Sequence, residues 1–217
     1  MKVKSFLDII NIMKTLELKK TDRALVLVAH PDDETIWMGG TLFQNLQTDW
    51  TIFSLCRKSD NDRKPKFDNV CAFYGARGII TDLDDEDKLS TEKTIPIIQE
   101  LVEEEIGREK FDYIFTHGAN GEYGHPRHIG VYLAVKLLIK NKRLNIKNVL
   151  CFNYKKYREE ENGLIDMRAK PDSDFLLELG KNDINRKKKI IAEMYGYSYN
   201  GIDVNLCPKT EAFKILR

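Results

Sequence analysis

Residues 24–29 read ALVLVA and are followed at once by HPDDET, residues 30–35. A continuous run of apolar, valine-rich residues is typical of a β-strand that is buried on both faces of a parallel sheet. Such a run rarely ends by crowding three carboxylates beside an imidazole. The stretch therefore predicts a strand at the centre of a covered sheet, with a polar site directly beyond its carboxyl end.

Working outward from this strand, apolar runs alternate with segments of helical periodicity about every 30 residues. This alternation predicts an α/β fold with a Rossmann-like, mostly parallel sheet and helices on both faces. A late strand over 174–179 and a helix over 183–195 follow it. The predicted strands are 24–29, 50–56, 78–83, 111–118 and 147–154, and the predicted helices are 35–47, 64–76, 92–106 and 126–141.

The 217 residues carry no internal repeat or linker-like segment, so we expect one domain over 1–217. Its first 20 residues have the spacing of an amphipathic helix packed on that domain. Three polar stretches are interpreted as solvent-exposed: an acidic turn at 84–88, a loop at 157–163, and a helix face at 186–189 in the lysine run RKKK.

The overall charge is nearly balanced, with 35 Lys and Arg against 34 Asp and Glu. This balance gives no global attraction to nucleic acid or to an anionic membrane. The four cysteines form no CxxC pair, which argues against a thiolate metal site and favours a reducing compartment. No run reaches the roughly 18 apolar residues of a membrane span, and no cleavable signal pattern is present. We therefore expect a cytoplasmic protein that binds no nucleic acid.

Unusual polar residues collect after the predicted strands, where ligands bind in open parallel sheets. All four histidines follow the first or the fourth strand. The candidate residues are His30, Asp32, Asp33 and Glu34 after the first strand, Arg57 after the second, and His117, Glu122, Tyr123, His125 and His128 after the fourth.

The spacing of these residues fits a metal site. His30 and Asp33 are three residues apart, as are His125 and His128, so each pair can face one point. Two imidazoles and one carboxylate with an open fourth position form a catalytic zinc set. A spare carboxylate, Asp32 or Glu34, is then available to accept a proton from water.

Other interpretations of the same residues stay open at this level. HPDD also suits a turn that caps the next helix, and HPRH also suits surface histidines beside a helix-initiating proline. Acidic pairs after a first strand also occur in magnesium-binding phosphoacceptor domains, which would be phosphorylated on Asp32 or Asp33. A silent scaffold with a nucleotide crevice is disfavoured because no GxGxxG follows the strand.

At these residues the sequence resembles the PIG-L/LmbE-like zinc-dependent N-deacetylases, which act on N-acetylglucosaminyl compounds. AHPDDE at 29–34 matches the first motif of that family, and GEYGHPRH at 121–128 is similar to the second. The segment 56–78 is similar to the region between them, and 187–199 is weakly similar to a late lysine-to-tyrosine helix. The resemblance covers about residues 22–200.

The resemblance implies a role for each matched residue. The zinc ligands would be His30, Asp33 and His128, with another divalent metal such as Fe²⁺ as an alternative. Asp32 would be the general base, and His125 would polarise the amide carbonyl, stabilise the oxyanion and also be a candidate to protonate the leaving amine. The residues implied to contact the substrate are Arg57, which matches a sugar-binding position, and Tyr123, which matches a mobile residue at the mouth of the site.

One position departs from the family pattern, which often has Asp where this chain has Arg127. A cation that points at His125 would disfavour the imidazolium form. Pointing outward, it would meet an anionic part of the substrate, and Arg127 is therefore also a candidate substrate-binding residue. We expect a zinc-dependent hydrolase that removes the N-acetyl group from an N-acetylglucosamine-type sugar or glycoconjugate, with oligomers possible.

Overall fold

A computed structural model describes residues 16–86, 88–161 and 163–217. The amphipathic helix predicted within residues 1–20 falls mainly outside them. Among the described residues, no helix is both long and apolar enough to cross a lipid bilayer. A cytoplasmic location and a single domain stay predictions.

The strands form one large sheet and one hairpin. The strands are β1 Arg23–Val28, β2 Asp49–Ser54, β3 Arg77–Ile80, β4 Lys110–Thr116, β5 Asn145–Phe152, β6 Tyr154–Glu159, β7 Ile165–Ala169, β8 Phe175–Glu178 and β9 Thr210–Ile215. The seven-stranded sheet has the order β3-β2-β1-β4-β5-β9-β8. Its first five strands are parallel, while β9 and β8 pair antiparallel at one edge. The predicted α/β fold with a mostly parallel sheet is confirmed.

The helices are α1 Asp33–Gln44, α2 Arg63–Tyr74, α3 Thr91–Ile106, α4 Gly121–Gly124, α5 Pro126–Lys140, α6 Lys181–Lys189 and α7 Ile202–Leu206. Of these, α1, α2, α3 and α5 connect the parallel strands in the predicted places, whereas the short helices α4 and α7 were not predicted. A π-helical turn, Ile190–Met194, continues α6. The helix predicted over 183–195 is thus present as an α-helix that widens into a π turn.

Strand β1 lies at the centre of the sheet and divides its side chains between two cores. Val26 and Val28 pack in the core beneath α1 and α2, whereas Leu25 and Leu27 pack in the core beneath α3 and α5. All four side chains have no exposed surface. The continuous apolar run is therefore explained by burial on both faces.

The order of the strands places the site. From β1 the chain runs outward through β2 to β3, and then crosses to β4, which lies on the other side of β1. Chain connections that leave in opposite directions open a crevice at the carboxyl ends of the two central strands. The residues that follow β1 and β4 therefore meet at this edge of the sheet.

Two of the three stretches predicted to be solvent-exposed differ from their prediction, 157–163 in its secondary structure and 186–189 in its burial. Residues 157–159 are strand rather than loop, because β6 pairs antiparallel with β7. Apart from its first residue, β6 is exposed throughout, so it carries no apolar alternation for a sequence pattern to detect. In the lysine run, Lys187 is fully buried and contacts Glu211, although its neighbours on α6 are largely solvated.

Candidate active site

The turn between β1 and α1 holds its acidic residues in a strained conformation. Asp32 has a φ of 118°, and Arg57 and Glu122 at the same edge of the sheet have φ values of 77° and 57°. These are three of the four non-glycine residues with positive φ in the described ranges. Backbone strain of this kind persists where the surrounding structure holds it, and it concentrates at functional sites.

Three side chains converge on one point at the carboxyl ends of β1 and β4. His30 Nδ1 lies 3.1 Å from Asp33 Oδ2, and His128 Nε2 lies 3.3 Å from His30 Nδ1 and 3.4 Å from Asp33 Oδ2. Ligands about 2.0–2.1 Å from a tetrahedral zinc ion lie roughly 3.4 Å from one another. The three atoms that the sequence predicted as ligands therefore have the mutual spacing that such an ion requires. We call His30, Asp33 and His128 the ligand triad.

The outer atoms of the ligand triad are held by further hydrogen bonds. Asp33 Oδ1 accepts from the indole N–H of Trp37 at 2.9 Å, and Oδ2 accepts the His30 backbone N–H at 2.9 Å and keeps a second lone pair for the shared point. His128 Nδ1 lies 2.6 Å from Glu122 Oε2, and His30 Nε2 lies 2.7 Å from Asp85 Oδ1. A carboxylate on the far nitrogen fixes the tautomer and orientation of a metal-binding histidine and increases its basicity.

His117 belongs to this network without being a free ligand. Its Nε2 accepts the Ala29 backbone N–H at 3.0 Å, and its Nδ1 lies 2.8 Å from Glu122 Oε2. A ring nitrogen that accepts a hydrogen bond from the backbone has no lone pair left for a cation. His117 therefore holds Glu122, which in turn holds His128.

Asp32 lies beside the ligand triad in the lining of the same cavity. Its Oδ2 accepts a hydrogen bond from the hydroxyl of Tyr197. Burial, and next the charge of Asp33, raise the pKa of Asp32 well above its usual range. A carboxylate with a raised pKa is a stronger base, as the predicted role requires.

Glu34 has a different environment from its two acidic neighbours. It is fully buried and accepts hydrogen bonds from the Asp32 backbone N–H, the Thr35 hydroxyl and the Tyr195 hydroxyl. These contacts support the strained turn around Asp32. Of the two spare carboxylates that the sequence offered, Asp32 lines the cavity and Glu34 does not.

His125 precedes α5 and is the N-cap of that helix. Its Nδ1 accepts the Arg127 backbone N–H at 3.3 Å, so the ring proton is on Nε2. Burial, and next the charges of His128 and His30, lower the pKa of His125 to about 3. A neutral imidazole with an Nε2–H is a hydrogen-bond donor, and this is the state that can stabilise a developing oxyanion.

The cavity above the ligand triad has a volume of about 590 Å³ and a strongly polar lining. Arg57 and Tyr123 both line it, as the sequence predicted for residues that contact a substrate. Arg57 lies at the half-exposed rim and forms a bidentate contact with Asp85 Oδ2 at 2.6 and 2.7 Å. The ring of Tyr123 packs near those of Trp37 and His125. The further lining residues are Pro31, Ile36, Asp60, Asp62, Arg63, Tyr197, Asp203 and Leu206.

Arg127 does not lie where a substrate-binding residue is needed. Its side chain is fully buried and is absent from the cavity lining. Its guanidinium donates to Asp84 and to the carbonyl oxygen of Leu89, and its backbone N–H donates to His125 Nδ1. The expectation that Arg127 meets an anionic part of the substrate is therefore wrong.

The acidic stretch at 84–88 is the third polar segment that differs from its prediction. It was interpreted as solvated, but the Asp85 side chain is 13% exposed and lies between His30 and Arg57. Its position after β3 was the signal that could have identified it, because β3 ends at the same edge as β1 and β4. Tyr195 and Tyr197 were also missed, and the only signal for them was the weak similarity over 187–199.

Comparison with known proteins agrees with this arrangement. The family described as PIG-L, GlcNAc-PI de-N-acetylase, matches residues 25–139, just over half of the 217 residues. The matched segment begins in β1 and ends in α5, and it includes the whole ligand triad together with Asp32 and His125.

Solved structures show the same fold at low sequence identity. A40926 pseudoaglycone deacetylase Dbv21 is 15% identical, with a TM-score of 0.63 over 92% of this chain and 98% of that one. N,N'-diacetylchitobiose deacetylase from Pyrococcus horikoshii is 13% identical, with a TM-score of 0.60 over 99% and 94%. The hydratase GalB from Pseudomonas putida, also 13% identical, has a TM-score of 0.57 over 91% and 97%. The fold therefore carries more than one reaction, and function must be argued from the site.

Proposed function

The chain belongs to the PIG-L family, and from that premise we propose that it is a metal-dependent N-deacetylase. Its substrate would be an N-acetylglucosamine-type sugar or glycoconjugate, and water would hydrolyse the acetamide to acetate and a free amine. The observation that carries the proposal is the ligand triad, whose three atoms lie 3.1–3.4 Å apart beside Asp32.

The chemistry of the ligand triad fits a divalent cation. Two imidazole nitrogens and one carboxylate oxygen suit Zn²⁺, and Fe²⁺ is the alternative. The other atoms of these side chains are occupied by Asp85, Glu122 and Trp37, so the three facing atoms are the ones left for a metal. When bound, the cation polarises the amide carbonyl and makes a nearby water more acidic.

Asp32 would accept the proton of the attacking water. Burial and the charge of Asp33 raise the pKa of Asp32 well above its usual range, and the Tyr197 hydroxyl holds the carboxylate in position. As the carbon–nitrogen bond breaks, the departing amine needs a proton, and the protonated Asp32 would supply it. Atoms then balance: the water oxygen ends in acetate and both water protons remain with the products.

His125 would stabilise the charge that develops on the carbonyl oxygen. Its neutral ring carries a proton on Nε2, and a single well-placed donor of this type contributes about 10²–10³-fold to turnover. Its low pKa makes an imidazolium a poor description of the resting state, so we propose a hydrogen-bond donor and not a proton donor for His125.

The polar lining supports a sugar as the substrate. Carboxylates and guanidinium groups dominate the cavity walls, and both hydrogen-bond readily to hydroxyl groups. We propose that Arg57 and Tyr123, at the rim, contact the sugar ring that carries the acetamide.

A single experiment tests this proposal: acetate and amine release is measured across a panel of N-acetylglucosaminyl compounds, with the metal content determined in the same preparation. We expect release from at least one compound, about one zinc or iron per chain, and loss of both metal and activity in His128→Ala. A magnesium phosphoacceptor domain, the alternative, predicts no release and no role for His128. Absence of zinc and iron, or a His128→Ala protein that remains active, would overturn the proposal.

A further inference from the structure

The buried guanidinium of Arg127 makes contacts that its position between two histidines of the site does not suggest. Arg127 lies in the first turn of α5, between His125 and His128, yet its side chain turns away from both. It reaches the acidic loop, by which we mean residues 84–86, 88 and 89. A fully buried cation therefore lies against this loop.

Arg127 binds the acidic loop at two points. Nε donates to the Asp84 carbonyl oxygen at 2.5 Å, Nη2 to the Asp84 carboxylate at 2.7 Å, and Nη1 to the Leu89 carbonyl oxygen at 3.0 Å. Asp84 in turn accepts the Leu89 backbone N–H at 3.1 Å. One side chain therefore ties together the beginning and the end of the loop.

The loop carries Asp85, which is adjacent to the residue that Arg127 holds. Asp85 Oδ1 lies 2.7 Å from His30 Nε2, and its Oδ2 accepts the bidentate contact from Arg57. Hydrogen bonds thus run from α5 through the acidic loop to a member of the ligand triad. The same contacts reach the rim residue that is proposed to meet the sugar.

Only arginine can make this set of contacts. The guanidinium offers five donors in a rigid fork, and here three of its nitrogens donate to three oxygens at once. Lysine would present one ammonium, and the Asp that the family often has here would add a third carboxylate beside Asp84 and Asp85. The buried positive charge also offsets the charge of Asp84, which is 17% exposed.

We propose that Arg127 is a positioning residue that fixes the acidic loop, sets Asp85 against His30, and thereby tunes the metal affinity of the ligand triad. This inference rests on the proposed metal site and adds to it a second motif residue that acts at a distance. Removal of a carboxylate partner from a ligating histidine typically weakens metal binding by about 10–100-fold.

The test is a zinc titration of the purified full chain against a chromogenic chelator, with a double-mutant cycle. We expect Asp85→Asn and Arg127→Gln each to weaken zinc binding by about 10–100-fold. Because both act through the same contact on His30, the double variant should be no weaker than the weaker single variant. Arg143→Gln, which removes an exposed arginine paired with Glu103, is the matched control and should bind zinc as the wild type does.

The outcomes separate this inference from the proposed function. A wild type that binds no zinc defeats the proposed function. A wild type that binds zinc while Arg127→Gln binds it equally well defeats the positioning role alone, as does full additivity in the double variant. If Arg127→Gln fails to fold, Asp84→Ala removes the carboxylate that the same guanidinium contacts, and unchanged zinc affinity there overturns the inference.

Discussion

Two buried charged clusters contact α1, one in the second half of the helix and one at its first turn, and they differ in how completely their groups are paired. Beneath the helix, Glu211 accepts hydrogen bonds from the Gly40 and Thr41 backbone N–H groups, the Thr41 hydroxyl and the Lys187 ammonium. One cation meets one anion, and both side chains have no exposed surface. This cluster is complete in itself.

The cluster at the other end of α1 is incomplete. Around the ligand triad lie the carboxylates of Asp33, Glu122 and Asp85, and the imidazoles between them have their far nitrogens occupied. His30 Nδ1 and His128 Nε2 face each other at 3.3 Å, together with a carboxylate oxygen. Three metal-binding atoms that face one point form the arrangement that the proposed divalent cation would occupy. Burial of charge alone therefore does not identify a candidate site, whereas buried metal-binding atoms that converge on one point do.

The complete cluster, which contains Lys187 and Glu211, also explains an interruption of the helical conformation in α1. Met38 has non-helical backbone angles, φ −146° and ψ 20°, and the next N–H groups donate to Glu211 instead of to the preceding turn. The Trp37 carbonyl is freed by this break and accepts the Tyr154 hydroxyl at 2.6 Å. The complete cluster thus fixes Trp37, whose indole holds Asp33 in the incomplete one.

The largest expected effect comes from Asp32→Asn, because Asp32 lies beside the incomplete cluster and is the proposed general base. Asparagine can still accept the Tyr197 hydroxyl but cannot take a proton, so kcat should fall by about 10²–10⁴-fold. The free energy of unfolding should not decrease, because a buried carboxylate beside Asp33 is lost. Steady-state kinetics and urea unfolding check both parts, with exposed Asp68→Asn as the control. Full activity in Asp32→Asn would exclude the general base.

Lys187→Met should lower the free energy of unfolding, which Asp32→Asn should not. Removal of one partner from a buried ion pair leaves the other uncompensated and costs about 3–5 kcal/mol of the free energy of unfolding. Urea or thermal unfolding measures this loss. Lys189→Met, on the exposed side of the same helix, should change the stability by less than about 0.5 kcal/mol. Equal effects from the two lysines would contradict the view that the Glu211 cluster is structural.

Added zinc should stabilise only through the incomplete cluster. At a free zinc concentration of 100 times Kd, binding raises the free energy of unfolding by about 2.7 kcal/mol relative to protein in chelator. Lys187→Met should gain the same increment as the wild type, because its own cluster binds no metal. His30→Ala should gain much less. Unfolding curves that coincide with and without zinc would show that the ligand triad is not a metal site.

The sequence predicted the parallel sheet because its strands are buried on both faces, which leaves continuous apolar runs. The positions of the histidines after strands that end at one edge predicted that these side chains would meet, and the resemblance to the family implied His30, Asp33 and His128 as the ligands. It did not predict Asp85, since a run of acids between a strand and a helix has the composition of a solvated turn. Whether a polar side chain is buried, and which group it contacts, depends on tertiary contacts that the spacing of residues in the sequence does not encode.

Arg127 and Lys187 illustrate the same limit for cations. Each lies in a polar stretch, HPRH or RKKK. The local sequence pattern is enough to interpret the other residues of these stretches, but not Arg127 and Lys187. Their burial depends on carboxylates 43 and 24 residues away, Asp84 and Glu211. Tyr197 is a further case, since it reaches Asp32 across 165 residues of sequence. Long-range hydrogen bonds of this kind carry no periodicity.

The smallest expected effect comes from Tyr197→Phe, which removes a hydrogen bond to Asp32 beside the incomplete cluster. The Tyr197 hydroxyl stabilises the Asp32 carboxylate and lowers its pKa against burial and Asp33, which raise it. Without the hydroxyl the pKa of Asp32 rises further, so the base stays protonated to a higher pH and the acid limb of kcat/KM should shift to higher pH. At neutral pH we expect about a tenfold loss, equivalent to about 1.4 kcal/mol.

The matched control for Tyr197→Phe is Tyr199→Phe, whose hydroxyl donates to exposed Glu193 and which should leave the pH profile unchanged. The Arg63 guanidinium, 4.3 Å above the Tyr197 ring, keeps its contact with phenylalanine, so loss of the ring position is not expected to contribute. A profile that moves to lower pH, or moves equally in both variants, would mean that Asp32 is not the group whose deprotonation limits activity. Such a result would also remove the distinction between charge that stabilises the fold and charge that performs the reaction.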